Sequence, residues 1–354
     1  TSYMNKGSNL EITTQGAVSV IGTKNFSLFG NTDVGHGVII STKGNVTLAN
    51  FNANDNEDGW GVYVDNESGT GSVTITDVWA ESNGFDGIKV LSSGAVTLKN
   101  TTARYNGHNG IVIDNLHVTY LKGVTLTNVT VEGNDYTGLI VVSAGPVTAT
   151  GLTSRYAQAD VVGHDQYNIW INAIAGIGTV SLTNLTFDQN AAQDALLRID
   201  SRGQVNLTNV FIQNNVDGKG IFVDNTGAPT PKPVIVKGLD VSNINDGDAV
   251  TIYSKGDITV TNAIVRATIN GWGLVLDNHF GTTAKVTVNT SGVFTNQLTA
   301  NQYGGLYVSS NGNIAVSNTN ASYNASSGAV GLQLDNSSGT GSISLVNITL
   351  LSNS

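Results

Sequence analysis

The sequence lacks cysteine altogether and contains only four prolines among its 354 residues. The absence of cysteine excludes a disulfide scaffold and any site that binds a metal through thiolates. Charged residues make up only 12% of the chain, about half the usual share. Lysine and arginine number 16 against 26 acidic residues, so the net charge of −10 argues against nucleic acid as a partner.

Long hydrophobic runs are also missing. No stretch approaches the roughly 18 apolar residues of a membrane-spanning helix, so we expect no membrane span in this segment. No secretion signal is recognisable either. The chain does contain 42 glycines and many Asn, Thr, Ser, Val and Ile residues, a mixture that favours short strands joined by tight turns.

One short pattern recurs along the whole chain: apolar, polar, apolar and polar residues, followed by Asn or Asp. Clear copies begin at Val46, Val73, Val96, Val124, Val180, Val205, Ile258, Ile314 and Ile343. Such alternation predicts a strand with one buried face. A second strand follows each copy, as in Gly87–Val90, and a weaker alternating segment lies between the two. The turns before the second strand carry pairs such as Asn83-Gly84 and Asn106-Gly107, which tolerate positive φ.

The repeat predicts an all-β fold, a single-stranded parallel β-helix (solenoid) with three short strands per coil. We expect about twelve coils stacked about 4.8 Å apart, with right-handed coiling as the usual hand of parallel crossovers. Val73, Val96 and Val124 should then lie on top of one another. The Asn residues at the first turn should form a ladder along the axis, at Asn50, Asn100, Asn128, Asn184 and Asn209.

The coils alternate in how they end. One kind ends in a compact Gly turn and the other in Asp-Asn with a longer loop, so the sequence unit is a pair of coils of about 50 residues. We interpret residues 1–354 as one continuous β-helix segment, with 1–16 as the end of a preceding coil and 342–354 as the start of an incomplete coil. Neither end shows a polar cap, so we expect flanking β-helix coils in a longer chain.

These coils resemble those of right-handed parallel β-helix repeat proteins of the pectin-lyase-like superfamily, in particular adhesin- or stalk-type surface repeats. The resemblance implies a fold rather than one activity, because this architecture hosts many functions. Polygalacturonase-like members carry Asn-Thr-Asp and Gly-His-Gly motifs on neighbouring coils. Here Asn31–Asp33 and Gly35–Gly37 lie in a single turn, and we interpret the match as accidental.

Stacked carboxylates are the candidates for catalysis, since glycoside hydrolases use two acids roughly 5–9 Å apart. Aligning the coils places Asp135 and Asp165 in equivalent turns of adjacent coils, with His164 beside them. The alternative is structural, because Asp is a favourable turn residue. We expect no cofactor, with calcium as the one open alternative.

The turn at residues 54–58 loosely resembles a calcium loop, and its candidate metal ligands are Asp55, Glu57 and Asp58. An acidic, hydrated turn is the alternative interpretation.

Aromatic side chains recur beside one turn of successive coils, at Trp60, Phe85, His108 and Tyr136. The alignment predicts an axial stripe that suits stacking on sugar rings. Such rings also commonly cover the mouth of a turn or make a lateral contact with a neighbouring copy of the chain.

Our leading functional hypothesis is a structural or adhesive segment of a large secreted or cell-surface bacterial protein. It would be extracellular and would provide a rigid rod, with polysaccharide or neighbouring copies of itself as partners. One alternative is a polysaccharide lyase or glycoside hydrolase. A lyase needs a cation to neutralise a uronate, and only Arg155 among the arginines lies near the aligned acids. A phage tailspike-like carbohydrate binder is the other alternative.

Overall fold

The computed structural model describes residues 7–23, 29–30, 35–116, 121–157, 167–192, 194–215, 217–326 and 328–353. In these ranges all regular secondary-structure elements are β-strands, with no helix among them, and neighbouring strands pair in parallel. The chain forms two compact units, Thr1–Gly178 and Thr179–Ser354, which together comprise about 11 turns of a parallel β-solenoid. No described segment is a helix that could cross a membrane.

The strands of the first unit alternate between two sheets. They are β1 (Leu10–Thr14), β2 (Val18–Ile21), β3 (Val38–Thr42), β4 (Val46–Asn54), β5 (Val62–Asn66), β6 (Val73–Glu81), β7 (Ile88–Ser92), β8 (Val96–Arg104), β9 (Ile111–Asn115), β10 (Val124–Glu132), β11 (Leu139–Ser143), β12 (Val147–Arg155) and β13 (Tyr167–Ala173). Odd-numbered strands form one sheet and even-numbered strands the other, each in sequence order. Each strand therefore pairs with its counterpart one coil away.

The second unit repeats this arrangement. Its strands are β14 (Val180–Asp188), β15 (Ala195–Ser201), β16 (Val205–Gln213), β17 (Lys219–Asn225), β18 (Val234–Ile244), β19 (Val250–Ser254), β20 (Ile258–Thr268), β21 (Trp272–Asp277), β22 (Val286–Asn289), β23 (Asn296–Thr299), β24 (Gly304–Ser309), β25 (Ile314–Asn320), β26 (Val330–Asp335) and β27 (Ile343–Thr349). One sheet has the order β15-β17-β19-β21-β24-β26. The other contains β14, β16, β18 and β20, and then β22 and β23, which both lie between β20 and β25.

A bend in the middle of each long strand gives the coil its third side. In β8, Val96 and Leu98 are buried and Asn100 has a φ of 49°. After this residue the buried positions shift from even to odd residue numbers, to Thr101 and Ala103. One residue in the left-handed region thus turns the chain and starts a new strand. The prediction of three short strands per coil is confirmed in this form.

Equivalent residues of successive coils are neighbours, as predicted. Val73 pairs with Val96, and Val96 pairs with Val124. These valines and the inward Leu98 and Leu126 are at most 1% exposed. Each coil therefore buries its apolar residues mainly against the same residues one rung away, which is why a strict repeat is sufficient to specify the core.

The predicted Asn ladder lies at these bends, where Asn50, Asn100, Asn128, Asn184 and Asn209 all have positive φ. Asn128 Nδ2 donates to Asn100 Oδ1 over 3.1 Å, and Asn100 Nδ2 donates to Asp77 Oδ1 over 2.9 Å. In the second unit, Asn209 Nδ2 donates to Asn184 Oδ1 over 3.0 Å. Asn suits these positions because it tolerates the left-handed conformation and its amide reaches the next rung.

A second Asn ladder, fully buried, runs through the turns before the odd-numbered strands. Asn56, Asn83 and Asn106 each donate from Nδ2 to the Oδ1 of the Asn on the next rung, the last of them to Asn134, over 2.6–2.8 Å. Asn83-Gly84 and Asn106-Gly107 tolerate positive φ, but neither pair adopts it in these turns. The left-handed residues are the ones just before, Ser82 and Tyr105. Asn is needed at positions 83 and 106 for its buried amide and not for its backbone.

The alternating coil ends form a third ladder. Asn66 Nδ2 donates to the carbonyl oxygen of Gly44 over 2.7 Å, and Asn115 Nδ2 does the same to Gly94 over 2.6 Å. Between them, Ser92 Oγ donates to Asn66 Oδ1 over 3.2 Å. The two kinds of coil therefore have complementary hydrogen-bonding groups, which is the physical reason for a two-coil sequence unit.

Candidate functional site

The structure brings the four predicted aromatic residues together on the first unit. Ring centroids are 5.7 Å apart for Trp60 and Phe85, 5.4 Å for Phe85 and His108, and 4.9 Å for His108 and Tyr136. We call Trp60, Phe85, His108 and Tyr136 the aromatic stripe. It follows the turns that precede β5, β7, β9 and β11, and each ring meets a ring of the neighbouring rung.

Two further rings support the start of the stripe. Trp60 stacks on His36 at 4.6 Å with an interplanar angle of 22°, and on Tyr63 at 4.8 Å with an angle of 27°. These contacts occupy ring surface of Trp60, whereas Phe85 and His108 are exposed. Sequence reasoning missed His36 and Tyr63. Their positions relative to Trp60 could have indicated them, because His36 lies in the equivalent turn of the preceding coil and Tyr63 lies on the strand that follows Trp60.

Side chains in the same turns fix the backbone that carries the stripe. His36 Nδ1 accepts a hydrogen bond from the Trp60 N–H over 3.1 Å. Asp86 Oδ1 accepts from both the backbone N–H and the side-chain amide of Asn109, and Asn109 Oδ1 accepts from the Thr137 N–H. The rings therefore project from turns that are bonded rung to rung.

We expect the first unit to lose stability on acidification through His36. Burial lowers the pKa of His36, partly opposed by the charge of Glu11, and the bond from Trp60 requires an unprotonated Nδ1. A lowered folded-state pKa means that this contribution is complete above the unfolded value of 6.5 and is lost as the pH falls below it. Denaturation between about pH 7.5 and pH 5 should show a smaller pH dependence for His36→Gln than for the natural chain. Equal pH dependence would contradict this role.

The predicted catalytic acids are only partly described. Asp135 is exposed, and its backbone N–H donates to the carbonyl of Asn106 over 3.0 Å. His164 and Asp165 lie outside the described residues. The pairing of Asp135 with Asp165 therefore stays a prediction.

The acidic turn at residues 54–58 contains Asp55, Glu57 and Asp58, all exposed. Partial desolvation of its carboxyl group, and secondarily the charge of Glu81, raises the pKa of Asp55. Within the described ranges no group of three or more His, Asp or Glu side chains is placed to hold a metal ion. Calcium binding at this turn stays a prediction.

A cluster that the sequence analysis missed lies on the odd-numbered sheet of the second unit. Arg198 pairs with Asp200 at 2.9 Å and with Asp194 at 3.4 Å, and Lys219 also reaches Asp194 at 3.4 Å. The guanidinium of Arg198 lies 4.7 Å from the ring centroid of Phe222. Phe222 lies between the buried Ile221 and Val223 of β17 and points outward, so the alternation of this strand was the signal that could have found it.

A second missed cluster lies on the first unit. Arg104 lies 5.1 Å from the ring centroid of Trp79 and 5.7 Å from that of Tyr105, and it pairs with Glu81 at 2.9 Å. The two rings are 44% and 49% exposed. They are outward residues of adjacent coils, so only the register of the coils brings them together.

Comparison with known families supports this architecture. Residues 6–153 match the family described as right-handed beta helix region. No curated protein matches the chain at a significant level. The family match and the stacked parallel strands together confirm the resemblance to parallel β-helix repeat proteins.

Proposed function

We propose that this β-helical repeat protein is a structural or adhesive segment of a large secreted or cell-surface bacterial protein. Its units would serve as stiff supports, and the aromatic stripe would make contacts with polysaccharide or with neighbouring copies. The observation that carries this proposal is the repetition of hydrogen-bonded side-chain ladders at the turns of successive rungs.

The ladders support a mechanical role because they resist separation of the rungs. In addition to the backbone bonds of each parallel pair, the buried amide of Asn106 bonds to Asn134 on the next rung over 2.8 Å. Breaking such a bond without water leaves two unsatisfied polar groups, which costs about 1–3 kcal/mol each. A stack of such rungs is stiff along its axis.

The charged cluster of the second unit supports the non-enzymatic function over a lyase site at that cluster. A lyase needs a cation that is free to meet a uronate carboxylate. On the outward face of the second unit, Arg198 and Lys219 already lie against the carboxylates of Asp194 and Asp200. Their charge is neutralised within the protein.

Adhesion and catalysis are separated by one set of assays on the whole chain. Beads that carry the chain should be retained by at least one member of a panel of neutral and acidic polysaccharides, without shortening of the polymer. The triple variant Phe85→Ala, His108→Ala, Tyr136→Ala should weaken retention about a hundredfold, since three rings that each contribute about 1 kcal/mol by stacking together contribute about 3 kcal/mol. The control Tyr156→Asn removes an exposed ring outside the stripe and should leave retention unchanged.

Two results would contradict this function. One is the absence of retention on the whole panel together with the absence of self-association of the chain. The other is depolymerisation that is abolished by Asp165→Asn, which would establish a hydrolase or lyase instead. For the proposed location, antibodies raised against the chain should label intact, unpermeabilised bacteria that produce it, and labelling only after lysis would overturn the proposal.

A further inference from the structure

A groove of about 520 Å³ opens on the second unit, lined by residues between Asn184 and Phe294. It crosses β14, β16, β18 and β20 just after their bends, and we call it the bend groove. Its floor is a column of outward side chains on four successive rungs. In register order these are Thr186, Phe211, Asp240 and Ile264. The volume lies within the range of about 300–1,000 Å³ that is typical of small-ligand sites.

We call the Asn ladder at the bends of the long strands the bend ladder, and a gap in it deepens this groove. The bend residue of β18 is Gly238, with a φ of 71°, where the neighbouring strands have Asn209 and Asn262. A Cβ at Gly238 would lie 2.8 Å from Asn209 Oδ1. Because no side chain occupies that space, the Oδ1 of Asn209 faces the groove and is available as an acceptor.

One end of the groove is closed by a loop that replaces the bend. Between β22 and β23 the chain makes an excursion over residues 290–295, which places Phe294 against the groove. Asn262 Nδ2 donates to Ser291 Oγ over 2.8 Å, and the Ser291 N–H donates to Asn262 Oδ1 over 2.9 Å. Asn318 Nδ2 donates to Thr290 Oγ1 over 2.9 Å on the other side. The loop is thus fixed to both neighbouring rungs, so the wall is preformed.

The groove carries no net charge. Asp240 forms an ion pair with Arg266 at 3.6 Å. The ion pair is made by Oδ1, which is buried, whereas the Asp240 side chain as a whole is 37% exposed. A ligand hydroxyl can donate a hydrogen bond to the exposed part of this carboxylate, whereas a charged ligand would find no free counter-charge.

We propose that the bend groove binds a short neutral oligosaccharide. The ring of Phe211, 36% exposed, and that of Phe294 offer surface on which sugar rings stack. The exposed part of the Asp240 carboxylate and Asn209 Oδ1 accept hydrogen bonds from hydroxyl groups. Four rungs at about 4.8 Å give the column a length of about 14 Å, so successive sugar rings lie over successive rungs.

The same surface is poorly suited to a peptide. A peptide that adds to a sheet needs an open edge with free backbone groups. Here β16 pairs with β14 and β18, and β18 pairs with β20, so these strands are occupied on both sides. The proposal does not rest on the aromatic stripe or on the adhesive function.

Calorimetric titration of the whole chain tests the proposal. The probes are cellotetraose, mannotetraose and xylotetraose, with tetragalacturonate as a charged comparison. At least one neutral probe should bind with a Kd below about 1 mM, and tetragalacturonate should bind about tenfold more weakly. Gly238→Asn should weaken binding of the neutral probe about tenfold or more, because it fills the gap with the residue that the other bends carry.

Matched variants separate binding from folding. Gly151→Asn makes the same change in the first unit, where a Cβ would also lie 2.8 Å from a ladder oxygen, that of Asn128, and it should leave binding unchanged. Phe294→Ala removes the wall from an exterior loop and should weaken binding even if Gly238→Asn folds poorly. Absence of binding by all neutral probes at about 10 mM overturns the proposal. Equal binding by Phe294→Ala, or equal affinity for tetragalacturonate, does so too.

Discussion

Replacing Asn106 by alanine should lower the free energy of unfolding of the first unit by about 4 kcal/mol or more. Asn106 is fully buried and accepts from the backbone N–H and the side-chain amide of Asn83, while its own amide donates to Asn134 and to the carbonyl of Ala80. Alanine leaves several of these groups buried without partners, each at a cost of about 1–3 kcal/mol. Chemical denaturation followed by circular dichroism measures the change.

The matched control for this substitution is Asn128→Gly. Asn128 belongs to the exposed bend ladder and has a φ of 51°, which glycine adopts without strain. Water can replace the lost hydrogen bond to Asn100, so we expect a loss of about 1 kcal/mol or less. If the two substitutions destabilise the unit equally, burial of the amide is not what makes the second, buried Asn ladder strong.

Gly94→Ala should be about as destabilising, for a steric reason. A Cβ at Gly94 would lie 1.9 Å from the carbonyl oxygen of Gly71, a backbone atom held between paired rungs. The turn can accommodate the methyl group only by separating the rungs, so we expect a loss above about 4 kcal/mol. Hydrogen exchange should show the largest loss of protection in β6 and β8, on either side of the clash.

Gly227→Ala is the corresponding control, since the nearest atom to its added Cβ is Arg202 Cγ at 3.6 Å. It should change stability by less than about 1 kcal/mol. Equal protection of β6 and β8 in Gly94→Ala and in the natural chain would show that the turn relaxes without opening the rungs.

The architecture was predictable because its determinants are local and repeated. One coil specifies a strand, its inward face and its bend through Val96, Leu98 and Asn100. The next coil has the same pattern at Val124, Leu126 and Asn128. Once the coils are aligned, the register follows, and so does the neighbourhood of the aromatic stripe. Because equivalent positions of successive coils pair with one another, alignment of the repeats is sufficient to determine which strands pair.

The parts that depend on departures from the repeat were not predictable in the same way. Asn83 and Asn106 look like residues chosen for a left-handed turn, and only the structure shows that Ser82 and Tyr105 adopt it. The bend groove depends on Gly238, which interrupts a ladder that the sequence shows only as a periodic Asn. Its end wall depends on an excursion at residues 290–295 whose direction comes from contacts with Asn262 and Asn318.

The Asn and Ser coil ends also constrain how such a gene can change in length. An Asn coil supplies the amide that bonds the Gly carbonyl of the coil before it, as Asn66 does for Gly44 and Asn115 does for Gly94. Deleting or duplicating one coil would bring two coils of the same kind together, an arrangement that occurs once among the described coils, where the Gly16 carbonyl accepts from the Thr42 hydroxyl in place of an Asn amide. Recombination that adds or removes coils two at a time preserves the Asn amide bonds, so we expect length variants that differ by even numbers of coils to be the more stable ones.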